Sequence, residues 1–324
     1  MEKGILKHRV YILCGAGARS GGAELAHQLC YTLNLFECVE AKMCYVDLQA
    51  PLSSCLPADV PCQKRYEEYE TEHAKTVDEI DLECNTVVIP EGLTLALECF
   101  HNAKIVLWWM SVDNYYVCTG GADLDELKCR AMLHLVQSHY ANVFCEEHFD
   151  RDKIMYLSDY INSAHGTFIL PAAYRRDIVL YNPAKGYETL QLVKEYVDWL
   201  EWIPLSGLDL EQTIFMMQCA KLYVDFGNHP GKDRIPREAA ANGCCVITNR
   251  KGSAAYQEDV PIPEKYKYAE PEKQLPEIDV QIRSIMKDYS YHIKDFEPYR
   301  DWIAKEKDKF VQDTTQFVEF LNRY

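Results

Sequence analysis

Residues 225–253 read DFGNHPGKDRIPREAAANGCCVITNRKGS, and four basic or titratable side chains, His229, Lys232, Arg234 and Arg237, crowd the few positions after the apolar run LYVDF. Glu238 follows at once. Pro236 sits where a helix can begin, because its fixed φ and missing N–H suit a first turn. Basic side chains beside the free amides of a helix start make a receptor for phosphate. A carboxylate held in that turn can accept both hydroxyls of a ribose, or can simply complement the helix dipole. The small residues Ala239, Ala240, Ala241 and Gly243 then let the helix lie close to the next apolar run, CCVIT.

Other loops carry related chemistry. GAGARSGG (15–22) follows VYILC and precedes AELAHQLCYTL, whose apolar residues recur at helical spacing. Its glycines permit close backbone approach, and Gly21 and Gly22 would offer helix-start amides to a phosphate or a sugar hydroxyl. NPAKG (182–186) sets Lys185, a compact point charge suited to a diphosphate, beside another helix start. Glu91 ends TVVIP and Asp113 follows KIVLWWMS; these are the carboxylates placed to deprotonate an acceptor hydroxyl. Trp108, Trp109, Tyr115 and Tyr116 offer faces on which a sugar could stack, although Trp within a strand also suits a core.

All of these loops follow apolar runs, as they must if strands are to present them. Strands are expected at 10–14, 38–47, 86–90, 104–109, 178–181, 199–204, 222–226 and 244–248, with short ones near 142–145 and 153–157. Helices are expected at 93–101, 123–139, 187–196, 210–219 and 236–242, and the chain looks helical from 280 onward with a break near Pro298. Strands alternating with helices predict α/β architecture with mostly parallel sheets, whose ligands lie beyond the carboxyl ends of the strands. The turn signals at 162–176 place a boundary there, giving domains at 1–172 and 173–300 and a terminal segment, 301–324, that packs back on the first.

REAAANGCCVITNRKGS resembles the E-A-x-A-x-G-x-P-V-I signature of GT-B glycosyltransferases, in a divergent form like glycosyltransferase family 4. GGAELAHQL (21–29) is similar to that family's GG-x-E segment, and NPAKG resembles its K-G turn. The resemblance spans most of the chain. It implies two Rossmann-like domains facing a cleft, with Glu238 on the donor ribose and Lys185 on the donor diphosphate. The family's upstream acid falls at Pro230, beside His229, and its arginine falls at Leu180. Phosphate compensation is therefore expected from Lys232, Arg234 or Arg237, and the donor-binding set is Gly21, Gly22, Lys185, His229, Lys232, Arg234, Arg237 and Glu238. Glu91 and Asp113 are the candidate catalytic acids. The expected reaction moves a hexose from a nucleotide-diphosphate sugar to a glycan or lipid-linked acceptor, as in surface polysaccharide synthesis. No metal ligand and no cofactor are assigned, since the GT-B fold needs no bound metal and no DxD-like pair stands in a suitable loop.

Composition narrows the partners. The 324 residues suffice for two domains, and the net charge of -16 repels nucleic acid and anionic membranes over most of the surface. The 14 cysteines lack paired CxxC spacing, which fits reduced thiols in the cytoplasm. No apolar run approaches the ~20 residues of a membrane span, while peripheral membrane contact stays open. Three other readings stay open as well: a nicotinamide-dependent oxidoreductase using the first glycine loop with Asp47 or Glu40, a nucleotide-sugar epimerase, and a non-catalytic glycan-binding protein of the same fold.

Overall fold

The computed structural model describes residues 7–121 and 123–324. The chain divides into two compact units, Met1–Asp159 with Asp308–Tyr324, and Tyr160–Lys307. The division falls earlier than the turn-rich segment at 162–176 because that segment is bonded into the second unit. Arg175, 6% exposed, donates to the carbonyls of Ala220 at 2.6 Å and Asn242 at 2.5 Å, and Arg234 donates to the Tyr160 carbonyl at 2.8 Å.

The first unit is built on six strands: β1 (His8–Gly15), β2 (Val39–Val46), β3 (Asn85–Pro90), β4 (Lys104–Trp109), β5 (Ala131–Val136) and β6 (Ile154–Tyr156). Their order is β2-β1-β3-β4-β5-β6 and every pairing is parallel. Helices cover both faces of a parallel sheet, so central strands read as unbroken apolar runs; Ile105 to Trp109 are all buried. Residues 308–324 complete this unit. Phe310 and Phe317 are fully buried, Asn322 Oδ1 lies 2.9 Å from His8 Nε2, and Asp313 accepts from the Ser158 amide at 3.3 Å.

The second unit holds β7 (Arg176–Tyr181), β8 (Glu201–Pro204), β9 (Ala220–Asp225), β10 (Cys245–Asn249) and β11 (Lys267–Tyr268), ordered β11-β10-β9-β7-β8 and again parallel throughout. Each unit starts on a strand inside its sheet, adds the next strand on one side, then crosses back to continue on the other. Each therefore has a switch point where consecutive connections leave in opposite directions and open a crevice. In the first unit it lies beyond β1 and β3, and in the second beyond β7 and β9.

Two expected elements are exchanged. The single helix at 123–139 is instead the helix Leu124–Arg130 followed by β5, and the strand at 142–145 lies inside the helix His139–His148. Leu124, Leu127, Ala131 and Leu135 happen to fit helical spacing, but AMLHLV lies between β4 and β6, with all but Met132 buried. The true helix start is Ser138, whose hydroxyl accepts from the Ala141 amide at 3.1 Å as an N-cap. Trp108 and Trp109 are core residues and not a sugar platform: both are 0% exposed, donating to the Leu157 carbonyl at 3.1 Å and to His134 Nδ1 at 3.2 Å. No helix among the described residues is long and apolar enough to cross a membrane, and every cysteine among them is a free thiol.

Candidate functional site

At the second unit's switch point the loops after β7 and β9 touch because glycines allow it. Gly186 has φ +59°, and a Cβ there would lie 2.7 Å from the Phe226 carbonyl and the Gly227 amide. A Cβ on Gly227 would collide with the Lys185 side chain. This approach sets Lys185 Nζ 2.6 Å from Asp233 Oδ2, across residues far apart in sequence. His229 is fully buried behind them, its Nδ1 2.8 Å from the same Asp233 oxygen and its Nε2 3.8 Å from Asp225 Oδ1. Asp225 is fixed in turn by the Gly227 amide at 3.0 Å and the Tyr223 hydroxyl at 2.8 Å.

The end of β10 and the segment after it clasp this loop from the other side. Asn249 Nδ2 donates to the Gly227 carbonyl at 2.7 Å, the Ser253 hydroxyl donates to the Gly231 carbonyl at 2.6 Å, and the Ser253 amide donates to the His229 carbonyl at 2.9 Å. Gly252, at φ +56°, packs directly on that carbonyl. Lys185, Asp233, His229 and Asp225 thus form a chain of alternating charge held by backbone on all sides.

Burial disfavours the His229 imidazolium, yet the close approach of the Asp233 carboxylate and the charges of Asp225 and Asp233 outweigh that, so the group titrates above the ordinary histidine range. Burial also opposes ionised Asp233, but His229 and Lys185 hold its carboxyl below the usual carboxylate range. By linkage, the His229 contribution to stability is present below the ordinary histidine pKa and is lost as pH rises through the raised one. The Asp233 contribution is present above the ordinary carboxylate pKa and is lost as pH falls through the lowered one. The pair is tightest between those limits. Asp225, His229 and Asp233 bring one ligand atom each within 4.8 Å of one another. The Lys185 ammonium already supplies a cation to Asp233, and no metal is assigned.

The helix Arg234–Ala241 opens two residues before Pro236, which still lies in its first turn. Its bases are spent differently from the sequence expectation. Arg237, 1% exposed, forms a two-pronged pair with Glu306 at 2.9 and 3.0 Å and donates to the carbonyls of Lys232 and Asp233. Lys232, 6% exposed, lies 2.8 Å from Glu306 and 4.3 Å over the Trp302 ring. Arg234 reaches the Tyr160 carbonyl. Buried charge needs a counter-charge, and Glu306 supplies it for Lys232 and Arg237, which therefore brace the loop from behind. Glu238 keeps a part-exposed carboxylate, 3.8 Å from His165 Nε2. His165 Nδ1 accepts from Asn242 at 2.8 Å, which leaves its Nε2 proton aimed at Glu238.

At the first unit's switch point the helix Gly21–Leu33 starts under a Ser20 N-cap, its hydroxyl accepting from the Ala23 amide at 3.2 Å. Gly22 leaves room for the Met110 sulfur, 3.4 Å from where a Cβ would stand. The Met110 amide donates to Glu91 Oε2 at 2.8 Å. Gly22, Glu91 and the start of the loop after β4 thus meet at Met110. Burial pushes the Glu91 carboxyl up to about 7, although the amides of Met110, Glu91 and Ser111 partly offset it. Asp113 lies farther along, accepting from the Tyr140 hydroxyl at 2.7 Å.

Sequence reasoning missed Asp225, Asp233 and Glu306. Asp225 and Asp233 flank His229 at i−4 and i+4, a pattern readable in the sequence; nothing local ties Glu306 to Lys232.

No family model matches the sequence, and no curated protein matches it. Solved structures do match over nearly the whole chain. Sucrose-phosphate synthase from Thermosynechococcus elongatus aligns at TM-score 0.65 and 14% identity, covering 98% of this chain and 100% of that one. HepE of Anabaena, solved in complex with UDP, aligns at TM-score 0.64 and 11% identity, covering 98% and 100%. A glycosyltransferase from Rickettsia africae aligns at TM-score 0.62 and 12% identity, covering 98% of each. With two parallel sheets in matching order and neighbours of this kind along its full length, the chain has the GT-B fold.

Proposed function

We propose that this protein is a nucleotide-sugar-dependent glycosyltransferase of the cytoplasm, moving a hexose to a glycan or lipid-linked acceptor in surface polysaccharide synthesis, without a bound metal. The observation that carries the reading is Lys185 at the switch point of the second unit, 2.6 Å from Asp233 at the mouth of a buried charge chain, with Glu238 in the helix that follows. That is where a doubly wound sheet binds its ligand. Lys185 and the amides at the start of the helix Arg234–Ala241 would stabilise the departing nucleoside diphosphate, on which charge develops as the glycosidic bond breaks. Glu238 would accept the ribose hydroxyls. HepE has been solved with UDP and with UDP-glucose, which supports a uridine nucleotide as donor. Glu91, its carboxyl at about 7, would take the acceptor proton if transfer inverts configuration, with Asp113 as the alternative base.

Calorimetric titration of wild type and Glu238→Ala with UDP, GDP, dTDP, CMP and NAD tests this. The expected result is binding of one nucleoside diphosphate, weakened roughly ten- to hundredfold in the variant with thermal unfolding nearly unchanged. NAD binding in place of a nucleoside diphosphate would turn the reading to an oxidoreductase, and no nucleotide binding at all would turn it to a non-catalytic protein of this fold.

A further inference from the structure

Asp233 Oδ2 has two cationic neighbours, Lys185 Nζ at 2.6 Å and His229 Nδ1 at 2.8 Å. They differ in freedom. Lys185 stands on a flexible stem with its side chain 29% exposed, so it can turn outward. His229 is 0% exposed, its carbonyl is bonded to the Ser253 amide, and its ring is caught between Asp225 and Asp233. The groups that face it are few. Lys185 comes from the loop after β7, Asp225 from β9 with the Tyr223 hydroxyl on its far oxygen, and Asp233 from its own loop. The turn Gly252–Ala255 presents no ionisable side chain, and Lys232 is engaged with Glu306.

An anionic ligand drawn to Lys185 competes with Asp233 for the same ammonium. Once Lys185 turns to it, Asp233 loses that neighbour and stands beside the incoming negative charge. His229 is then the neighbour left against the Asp233 carboxylate, and it neutralises that charge as the imidazolium, because a neutral ring leaves Asp225 and Asp233 facing each other across it. The cluster of two carboxylates, one ammonium and one imidazole is electrically neutral only when the imidazole carries its second proton.

We propose that His229 is the positioning residue of the donor pocket: it holds Asp233 when Lys185 passes to the donor diphosphate, so that nucleotide binding is tied to a proton on the His229 ring. This rests on the donor-site reading above and deepens it. No bond is made or broken beyond the transfer of one proton between solvent and imidazole. The upward displacement of the His229 titration in the empty site is consistent with the same cluster.

The test is calorimetry of UDP and of GDP against full-length wild type, His229→Gln and Asp233→Asn from pH 6 to 9, each in two buffers of different ionisation enthalpy. Wild-type affinity is expected to fall as pH rises through the His229 titration, by at most about tenfold per pH unit for one linked proton, with proton uptake seen as a buffer-dependent heat. His229→Gln should bind more weakly at pH 6 and lose that pH dependence; titration of the nucleotide itself is common to both and cancels. Asp233→Asn, which keeps the shape but removes the competitor, should bind at least as tightly as wild type with little proton uptake, and it serves if His229→Gln fails to fold. Nucleotide binding with the same pH profile in wild type and both variants would overturn the proton linkage and leave the donor site standing. Failure of both nucleotides to bind wild type at any pH would overturn the donor reading together with this one.

Discussion

The two switch points share a strand order and differ in almost everything placed there. Beyond β7 and β9 the crevice carries a lysine, a histidine and two aspartates close together, with hydrogen bonds fixing Lys185, Asp233 and Asp225 and the His229 ring packed between the two aspartates. Beyond β1 and β3 the corresponding carboxyl, Glu91, is buried with amide partners, and no cation lies among the causes of its displaced titration. Parallel-sheet topology decides where a ligand can sit, and the charge built into the loops decides which ligand. A crevice with compensated charge suits a polyanion, whereas one with a lone carboxyl near neutrality suits proton transfer.

The contrast can be broken most forcefully from behind the second crevice. Replacing Glu306 with alanine removes the carboxylate that the buried Lys232 and Arg237 share, and breaking a buried pair of this kind costs about 3–5 kcal/mol. Chemical denaturation should show this, together with loss of nucleotide binding; a change under about 1 kcal/mol would mean the two bases find water instead. For the first crevice, Glu91→Gln should remove a pH dependence. A carboxyl whose folded pKa is raised favours the fold below its ordinary value, and that advantage is lost as pH rises toward about 7. Relative to wild type, the glutamine variant should gain up to about 3 kcal/mol between pH 4 and pH 8, and transfer activity should vanish if Glu91 is the base. A flat difference between the two proteins across that range would refute the displaced titration. The smallest of the three is Gly227→Ala, whose methyl must displace Lys185. Overpacking of this kind costs about 1–3 kcal/mol, and nucleotide affinity should fall more than stability does. Equal binding in this variant would show that the approach of the two loops does not matter to the ligand.

Much of this was legible in the order of residues. VYILC and LYVDF, each followed by a glycine loop, and KIVLWW, bounded by polar turns, are strands because short apolar runs of this kind have few other ways to be buried, and the loops after β7 and β9 follow from that. The exchange at residues 131–145 came from apolar spacing that suits either element when a strand and a helix adjoin without a glycine or proline between them. Lys185 and Glu238 stand out by local pattern alone, each at a helix start after a strand. The partners that decide the role of the basic residues do not, because Glu306 meets Arg237 across 69 positions and Asp233 meets Lys185 across 48. Pairings of that range are set by the packing of the whole unit. The two-residue β11 is too short to leave a periodic signal.

The Lys232 ammonium rests 4.3 Å from the Trp302 ring centre, and Lys232 belongs to the loop that carries His229 and Asp233. An indole emission depends on the charge beside it, so any rearrangement of that loop is written into the fluorescence of one tryptophan. Of the other four, Trp108 and Trp109 lie deep in the first unit, while Trp199 precedes β8 and Trp202 lies within it. Replacing those four with phenylalanine would leave a single-tryptophan protein in which occupation of the crevice could be followed by indole emission, without label and in real time.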